Sequence, residues 1–245
     1  MISMGRSLAI ALRIVRQVRR DHRSLALIIV APVVVMSLVG FSFFERREIL
    51  DNVAPALLAV FAFFFVFILT GVSFLRERAQ GTLERLLTTP VSRADILLGY
   101  LLGFLLFATV QTLVILLFTV WILQVEYRGD LWQVMVLLLT VTVVGVNLGI
   151  FISTFARNEF QVVQFIPLVL APQIFLSGLI LPVEELPGLF QAASSVLPLT
   201  YSVEGLREIM LRGGGLGDVV RELAVLLAFA VGLLVLASAT VRRRG

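Results

Sequence analysis

The chain has 245 residues, of which 59% are hydrophobic and 15% are charged. A soluble domain is usually about half apolar and about a quarter charged, so this composition excludes an ordinary globular protein and a disordered one. The sequence has no cysteine and one histidine, which excludes disulfides, thiolate metal sites and histidine-cluster metal sites. All 20 basic residues are arginine. A Walker A phosphate loop needs a lysine, so we do not expect this chain to hydrolyse ATP by itself.

Six windows of the sequence contain no aspartate, glutamate, arginine or lysine, and they are 19 to 30 residues long. A helix needs about 20 apolar residues to cross about 30 Å of hydrocarbon, so every window is long enough to span a membrane. The windows lack the period-two alternation of membrane-barrel strands. We therefore predict an all-α integral membrane protein with six transmembrane helices, at about residues 24–44, 52–75, 96–125, 131–156, 160–183 and 223–241.

The distribution of arginine predicts the orientation, because the cytoplasmic loops of membrane proteins carry an excess of basic residues. With six spans, 14 arginines share a side with both chain ends and 6 lie on the other side. We therefore expect the N- and C-termini in the cytoplasm and residues 184–222 outside. A seventh span over the uncharged residues 186–203 would give the same arginine split. Their prolines, serines and glutamine favour a re-entrant or interfacial segment instead, and the choice between those two stays open.

Residues 1–23 combine arginines with regularly spaced apolar residues. The two sets occupy opposite sides of a helix, as in helices that lie in the membrane interface. We predict an amphipathic helix along the inner leaflet with its arginines toward the lipid phosphates, and a simple topology signal is the compatible alternative. The apolar side comprises Leu8, Ala11, Leu12, Val15 and Val18, and the basic side comprises Arg6, Arg13, Arg16 and Arg20.

The loop between the second and third predicted spans has the strongest local signals. Gly81 can adopt backbone angles that break a helix, and Thr82 is a good N-cap for a short helix over residues 83–88. Pro90 stops that helix. Residues 92–95, Ser-Arg-Ala-Asp, have the pattern of a capping box that opens the third span. The sequence therefore predicts a compact helix, at about residues 81–89, held between two spans.

The same loop resembles a known family signature. The pattern E-R-x-x-G-T-L-E-x-L-x-x-T-P, from Glu77 to Pro90, is similar to the coupling-helix signature of ABC-2 type transporter permeases. The C-terminal third resembles the family's extracellular segment, through Ser-Gly at 177–178 and Leu-Pro-Leu-Thr-Tyr at 197–201. Some members carry a large extracellular domain between the first two spans. Only residues 45–51 lie there in this chain, so the resemblance is to the compact exporters.

The resemblance implies a single transmembrane permease domain over residues 1–245, a transporter subunit rather than an enzyme. Such permeases pair as dimers, and each subunit rests on a separate ATP-binding subunit that holds ATP and magnesium and docks on the short cytoplasmic helix. The expected partners are thus two ATP-binding subunits, a second permease copy and membrane lipids, but no nucleic acid, and this chain should hold no cofactor. A homodimer is the first expectation, a heterodimer stays open, and the expected location is a prokaryotic plasma membrane. The residues assigned to ATPase coupling are Glu77, Arg78, Gly81, Thr82, Leu83, Glu84, Arg85 and Leu87.

An ordinary alternative exists for the charges of this loop, because local ion pairs on a solvated surface are common and are worth under about 1 kcal/mol each. The coupling interpretation is preferred because of the family pattern. Glu84 and Arg85 are the side chains that we expect to be available to a partner, while the leucines give the helix an apolar side.

The resemblance also indicates a substrate pathway, since the second and fifth spans flank the central cavity in related transporters. The ordinary alternative is that aromatic residues there face lipid or neighbouring helices and that polar residues bond adjacent helices. Aromatic walls favour a drug or lipid-like amphiphile, while a glycan, a lipid-linked polymer or an ion stays open. Prolines 167, 172 and 182 are expected to break up the fifth span. The candidate pathway residues are Phe64, Phe67, Thr70, Gln173 and Ser177.

Two further observations limit other functions. No predicted span has an ionisable residue in its middle, which argues against ion-coupled transport. Residues 215–218 match the GxGD pattern of intramembrane aspartyl proteases, but a second aspartate at membrane depth is missing, so an intramembrane hydrolase is a weak alternative. On the outer side, Glu204 and Glu208 flank Arg207 on one helix face and are expected to form a solvated, self-paired surface.

Overall fold

A computed structural model gives the fold and describes residues 3–88 and 91–243, except for the side chains at 23, 24, 83, 84, 87, 93 and 241–243. The described chain is helical throughout, and a π-helical turn, Phe118–Ile122, continues the fifth helix. A 3-10 turn, Val183–Glu185, follows the seventh helix. The helices are α1 Met4–Arg20, α2 His22–Ser42, α3 Arg47–Ala79, α4 Thr82–Leu87, α5 Arg93–Leu117, α6 Leu131–Ser153, α7 Glu159–Leu176, α8 Gly188–Ser194, α9 Pro198–Arg212 and α10 Val220–Arg243.

Among the described residues, six helices are long and apolar enough to cross a membrane, namely α2, α3, α5 with its π-helical turn, α6, α7 and α10. The number of these candidate helices agrees with the six predicted spans. The predicted extent of the fifth span is wrong at its C-terminal end, because α7 stops at Leu176. Gly178 then adopts a left-handed conformation with φ of +83°, which turns the chain and leaves Pro182 outside the helix. Pro167 and Pro172 lie inside α7, which continues through both, so the expected interruption of the span at these two prolines is not observed.

The helix α3 is the centre of the bundle and packs against α5, α6, α7 and α9. Its closest neighbour is α6, where two glycines allow the backbones to approach. A Cβ atom at Gly145 would lie 2.9 Å from the carbonyl oxygen of Phe63, and one at Gly149 would lie 2.7 Å from that of Phe67. Small residues favour such close helix contacts in membranes because packing, not water exclusion, drives the association there.

The N-terminal segment forms a helix, α1, whose apolar faces differ from the prediction, and its placement along the inner leaflet stays a prediction. One face packs on α5, where a Cβ atom at Gly99 would lie 2.6 Å from the Cβ atom of Ile10. Ala11 and Val18, expected to face lipid, belong to this buried face. Leu8 and Leu12 are exposed and are therefore the residues left to meet lipid. Sequence periodicity detects a broad apolar stripe but does not show that a neighbouring helix covers half of it.

Residues 186–203 form no continuous helix, so a seventh span there is not observed. The chain runs from α8 into α9 through Leu197, whose backbone is extended at φ −114° and ψ 124°. Pro198 occupies the first turn of α9, where a proline costs no hydrogen bond. α9 packs against α3, α6 and α10 and ends at Gly213 in a left-handed conformation. The re-entrant or interfacial placement of this segment stays a prediction.

Candidate functional site

The candidate site is built where α3 ends. This helix has 33 residues, and at 1.5 Å per residue it is about 50 Å long, which exceeds the roughly 30 Å of a hydrocarbon core. Its last turn carries Arg76, Glu77 and Arg78, and the short helix α4 follows after a break at Gly81, where φ is +67°. The break and the short helix are observed as predicted. Thr82 is the first residue of α4 rather than its N-cap, because the left-handed glycine already turns the chain one residue earlier.

Glu77 lies at the junction of three helices and is 2% exposed. Arg13 of α1 donates a hydrogen bond to its Oε2 atom and forms an ion pair with it. The hydroxyl of Tyr100 of α5 donates to the same oxygen at 2.9 Å. Burial lowers the pKa of Arg13, but the hydrogen bonds and charge interactions with Glu77 and Tyr100 together outweigh burial, and the net shift is upward. The ring of Tyr100 is held edge-on to Phe74 with centroids 5.0 Å apart. A carboxylate that accepts one charge-assisted hydrogen bond and one hydroxyl hydrogen bond holds both donors firmly in place.

The two arginines beside Glu77 fix the ends of further helices. Arg76 donates to both carboxylate oxygens of Glu159, at 2.8 and 3.1 Å, and so connects α3 to the start of α7. It also lies 3.4 Å from a carboxylate oxygen of Asp21, between α1 and α2. Arg78 donates to the carbonyl oxygen of Ser153 at 2.7 Å, at the last turn of α6. With the bonds of Glu77 to α1 and α5, the end of α3 is thus bonded to α1, α5, α6 and α7, and through Arg76 to Asp21 between α1 and α2.

The start of α5 is fixed by the predicted capping box. The Ser92 hydroxyl accepts from the backbone N–H of Asp95 at 3.1 Å, and the Asp95 carboxylate accepts from the backbone N–H of Ser92 at 3.1 Å. The second carboxylate oxygen of Asp95 accepts the backbone N–H of Ser3 at 2.7 Å, just before α1. The N-terminus of α1 and the N-terminus of α5 are thus joined through one buried carboxylate.

The helix α4 is therefore held between two anchored points, the end of α3 and the capped start of α5. Arg85 is exposed and donates a 3.4 Å hydrogen bond to the carbonyl oxygen of Gln80. The side chains of Leu83, Glu84 and Leu87 lie outside the described set, and so do residues 89–90. Glu77 and Arg78, which the sequence assigned to ATPase coupling, are bonded to neighbouring helices. The coupling role of these residues stays a prediction.

The candidate pathway residues lie mostly inside the helix packing of the single chain. Phe67 and Thr70 are buried beside Gly149 at the α3–α6 contact, and Phe64 is half-buried at the edge of the core. Gln173 and Ser177 are buried on α7 and at its C-cap, and each bonds a carbonyl oxygen of its own helix. The structure brings Phe67 and Thr70 together at one contact and places the two α7 residues apart from them. A pathway role for these five residues stays a prediction.

A cavity of about 680 Å³ lies at the opposite end of α3, between the turn after α7, the helix α9 and the start of α10. The predicted self-paired surface is wrong here in one respect, because Glu208 pairs with Arg212 at 2.7 Å and not with Arg207. Burial, with Glu222 nearby, raises the pKa of Glu204, and burial lowers the pKa of Arg207. Both side chains are half-buried and line the cavity, together with Asn52, Glu184, Asp218, Arg221 and Glu222.

Sequence reasoning did not identify Arg13 and Tyr100 as the partners of Glu77 at the end of α3. Arg13 was counted among the lipid-facing arginines, because periodicity alone cannot separate one inward-facing arginine from its neighbours. A usable signal was present, since Glu77 is an acidic residue in the last turn of a span, and such a residue near the membrane needs a basic partner from another segment.

Comparison with known proteins identifies the family. A family model described as "ABC-2 type transporter" matches residues 7–211. The chain belongs to the ABC-2 type transporter family. The resemblance that the sequence carries is confirmed by this match, and the chain is a multi-pass membrane permease of that family.

Curated relatives agree with the assignment to the ABC-2 type transporter family. The chain is 32% identical over 171 residues to the ABC transporter G family member 20 of Dictyostelium discoideum, a match that covers 70% of this chain and 23% of that relative. It is 32% identical over 147 residues to the probable multidrug ABC transporter permease YbhS of Escherichia coli (strain K12), with 60% and 39% covered. It is 33% identical over 191 residues to the linearmycin resistance permease protein LnrN of Bacillus subtilis (strain 168), with 76% and 48% covered. The match thus spans less than half of each of these relatives.

Proposed function

We propose that this chain is the membrane-spanning subunit of an ATP-driven exporter, and that a separate ATP-binding subunit docks on α4 and supplies the energy. The observation that carries the proposal is the construction around α4. A short helix with an exposed Arg85 stands between two anchored helix ends, in a family whose members are ABC transporters. In this proposal ATP and Mg²⁺ are bound by the partner subunit, because this chain has no lysine for a Walker A loop.

The bonds around α4 support a mechanical role. A displacement of α4 pulls on the end of α3 and on the start of α5, since no more than a few residues separate them. The Arg13–Glu77–Tyr100 contact makes α1, α3 and α5 move together at this end. Arg76 and Arg78 extend the connection to α7 and α6. A push from a partner on α4 therefore reaches five helices, namely α1, α3, α5, α6 and α7. The conformation within each spanning helix need not change.

The proposed substrate is an amphiphile of drug or lipid-like character. Two relatives carry the words "multidrug" and "linearmycin resistance" in their names, which supports this class for the present chain. A glycan, a lipid-linked polymer or an ion is the alternative cargo. A hydrolase is not favoured, because the carboxylate of Asp218 accepts the backbone N–H of Gly215 at 2.8 Å and thus closes the turn before α10.

The proposed assembly contains two permease copies, as a homodimer, and two ATP-binding subunits in a prokaryotic plasma membrane, with both termini in the cytoplasm. Large apolar side chains support further contacts in the membrane. Phe160, Leu168 and Phe175 of α7 are each at least 60% exposed in the single chain. Lipid and a second copy are the surroundings that would remove these side chains from water.

The test is a reconstituted complex of the permease with its ATP-binding subunit in proteoliposomes. We expect Arg85→Ala and Glu84→Ala to abolish most substrate-stimulated ATP hydrolysis and export, while the amount of folded permease stays unchanged. Arg128→Ala is the matched control, because Arg128 is also exposed but lies at the other end of the bundle. Full substrate-stimulated hydrolysis and export in both α4 variants would remove the support for docking at α4.

A further inference from the structure

The lining of the charged cavity at the outer end of the proposed topology includes one ion pair, Glu208 with Arg212, and two further arginines, Arg207 and Arg221. Arg207 is half-buried, and a side chain at Gly178 would lie 3.5 Å from its Nη1 atom, so its guanidinium lies beside the turn after α7. Arg221 lies over the ring of Tyr201, with 5.6 Å between the guanidinium carbon and the ring centroid. Among the described residues, neither arginine lies within ion-pair distance of a carboxylate.

Two acidic residues of the cavity, Glu204 and Glu222, likewise form no ion pair among the described residues. Glu204 is half-buried near Glu222, and Glu184 and Asp218 complete the acidic lining. Burial, and after it the repulsion from Glu222, raises the pKa of Glu204. Glu204 and Arg207 are half-buried, and neither forms an ion pair among the described residues, whereas the carboxylate of Asp218 accepts the backbone N–H of Gly215. Such an arrangement costs free energy that a ligand with charges of both signs would recover.

The segment that forms one wall of the cavity also forms an apolar groove. Ser177, Gly178 and Glu184 line the charged cavity. Residues of the same segment and its neighbours line a groove of about 400 Å³, and its lining is almost entirely apolar. The groove residues are Pro172, Phe175, Leu176, Ile180, Leu181, Leu186 and Phe190. Charged and apolar sites thus lie on the two sides of one turn, as the headgroup and tail of an amphiphile require.

We propose that the cavity binds the zwitterionic headgroup of a lipid-like amphiphile, with Arg207 and Arg221 holding an anionic phosphate, Glu204 and Glu222 holding an ammonium group, and the adjoining groove holding the tail. This rests on the proposed function, since it names the headgroup chemistry of the exported amphiphile and a site near its exit. A headgroup with only one sign of charge would satisfy half of the cavity and leave the other half without a partner.

The test is ligand binding to the isolated full chain in a non-ionic detergent, followed by native mass spectrometry. Four probes separate the parts of the proposal: lysophosphatidylethanolamine, lysophosphatidylglycerol, an alkyltrimethylammonium of equal chain length, and phosphoethanolamine without a tail. We expect the zwitterionic lipid to bind most tightly, by about tenfold over either singly charged probe, as expected for one charge-assisted bond lost. Phosphoethanolamine should bind more weakly than its lipid, because it has no tail for the groove.

The variants separate the two signs of charge. Arg207→Gln should weaken binding of the zwitterionic lipid about tenfold and leave the cationic probe unchanged, and Glu204→Gln should weaken the cationic probe and leave the anionic one unchanged. Arg221→Gln repeats the arginine test at an exposed position, where misfolding is not a concern. Arg46→Gln and Glu45→Gln are matched controls at exposed positions outside the cavity lining.

Equal binding of the three lipid-like probes to the wild type, or variants that bind like their controls, would overturn the headgroup assignment. Equal affinity for phosphoethanolamine and its lipid would overturn the tail placement. These measurements need no ATP-binding subunit. Their failure is therefore distinct from a failure of the α4 experiment, which measures hydrolysis and export.

Discussion

Glu77 shows how one side chain can serve both the fold and the proposed energy transfer. Its carboxylate has little contact with water, and it accepts bonds from Arg13 and Tyr100, which belong to two other helices. An ionised group in such a place is tolerated only with partners, because desolvation is otherwise too costly. The same bonds fix α1 and α5 against the last turn of α3, immediately before α4 begins.

Replacing Glu77 by glutamine should destabilise the chain by about 2 kcal/mol. The amide can still accept a hydrogen bond from Tyr100, but it leaves Arg13 without its counter-charge. The loss is below the roughly 3–5 kcal/mol of a fully buried pair, because the Arg13 side chain is 33% exposed. The midpoint of unfolding by sodium dodecyl sulfate, followed by fluorescence of the 2 tryptophans, measures the change.

Two further variants make this experiment specific. Glu126→Gln removes an exposed carboxylate and should leave the midpoint unchanged. The double variant Glu77→Gln with Arg13→Gln should be less destabilised than the sum of its single variants, since neither charge then lacks a partner. Strict additivity would show that the two side chains do not stabilise each other.

Glu204 should make the stability of the chain fall as the pH rises. Its folded-state pKa is raised, first by burial and then by Glu222, whereas Arg207 and Arg221 act in the opposite direction. The folded state therefore binds more protons than the unfolded state between the unfolded and folded pKa values, and stability is lost across that window as the pH increases. The Glu204→Gln variant has no ionisable carboxyl at this position. The unfolding midpoint of the variant should therefore fall less than that of the wild type as the pH rises from about 4 to about 8. Glu45→Gln, at an exposed position, should follow the wild type.

At the scale of the elements, the contact between α3 and α6 depends on the absence of two side chains. A Cβ atom at Gly149 would meet the backbone oxygen of Phe67 at 2.7 Å and the Cβ atom of Thr70 at 3.0 Å. Backbone atoms cannot move aside as the end of a flexible side chain can, so the helices themselves would have to separate. This is the contact at which Phe67 and Thr70 are buried, and it explains why these candidate pathway residues face a helix in the single chain.

Gly149→Ala should therefore lower the stability of the chain by roughly 1–3 kcal/mol, the usual cost of an overpacked interior. Gly232→Ala is the matched control, because it is also a glycine within a long helix but has nothing within 4 Å of the added Cβ atom. An alanine there should be neutral or stabilising by up to about 1 kcal/mol, from helix propensity alone. The same detergent unfolding assay compares the two, and a Gly149→Ala variant as stable as Gly232→Ala would contradict the close packing.

The elements that the sequence predicts well are those with local causes. Six uncharged windows became six long helices, and the Ser92–Asp95 capping box is present as predicted. The errors have tertiary or single-residue causes. α7 ends early because Gly178 turns the chain, and the apolar face of α1 is divided because Gly99 lets α5 cover part of it. Helix pairing depends on which faces meet, and a single sequence does not contain that information in its periodicity.

At the scale of the whole molecule, two groups of charged side chains lie at the two ends of α3. The α4 end is a bonded layer in which Glu77, Arg76 and Arg78 have partners on other helices. At the other end, Arg207 and Glu204 line an open cavity. The motif from Glu77 to Pro90 predicted the position of the first site. The cavity could not be predicted, because residues 177–184, α9 and the start of α10 meet there only through the fold. The proposals place a mechanical input at one end and a binding site at the other.

This arrangement requires that α4 and the cavity face opposite sides of the membrane, which single cysteines can test because the chain has none of its own. Gly5→Cys, Arg85→Cys and Gly217→Cys are all at exposed positions. Two spans separate Gly5 from Arg85 and five separate Gly5 from Gly217. In intact cells a membrane-impermeant maleimide should label only Gly217→Cys, and the other two should react after permeabilisation.

Each deviation from this pattern has a definite meaning. Labelling of Arg85→Cys in intact cells would place α4 outside, where no ATP-binding subunit could reach it, and would end the proposal of energy transfer through that helix. Labelling of Gly5→Cys and Gly217→Cys from the same side would require an even number of spans between them and would overturn the six-span topology. The unsubstituted chain should not react in either condition, because it has no thiol. With the expected pattern, force applied at α4 must cross the membrane along α3, α5, α6 and α7 to affect a ligand bound in the cavity.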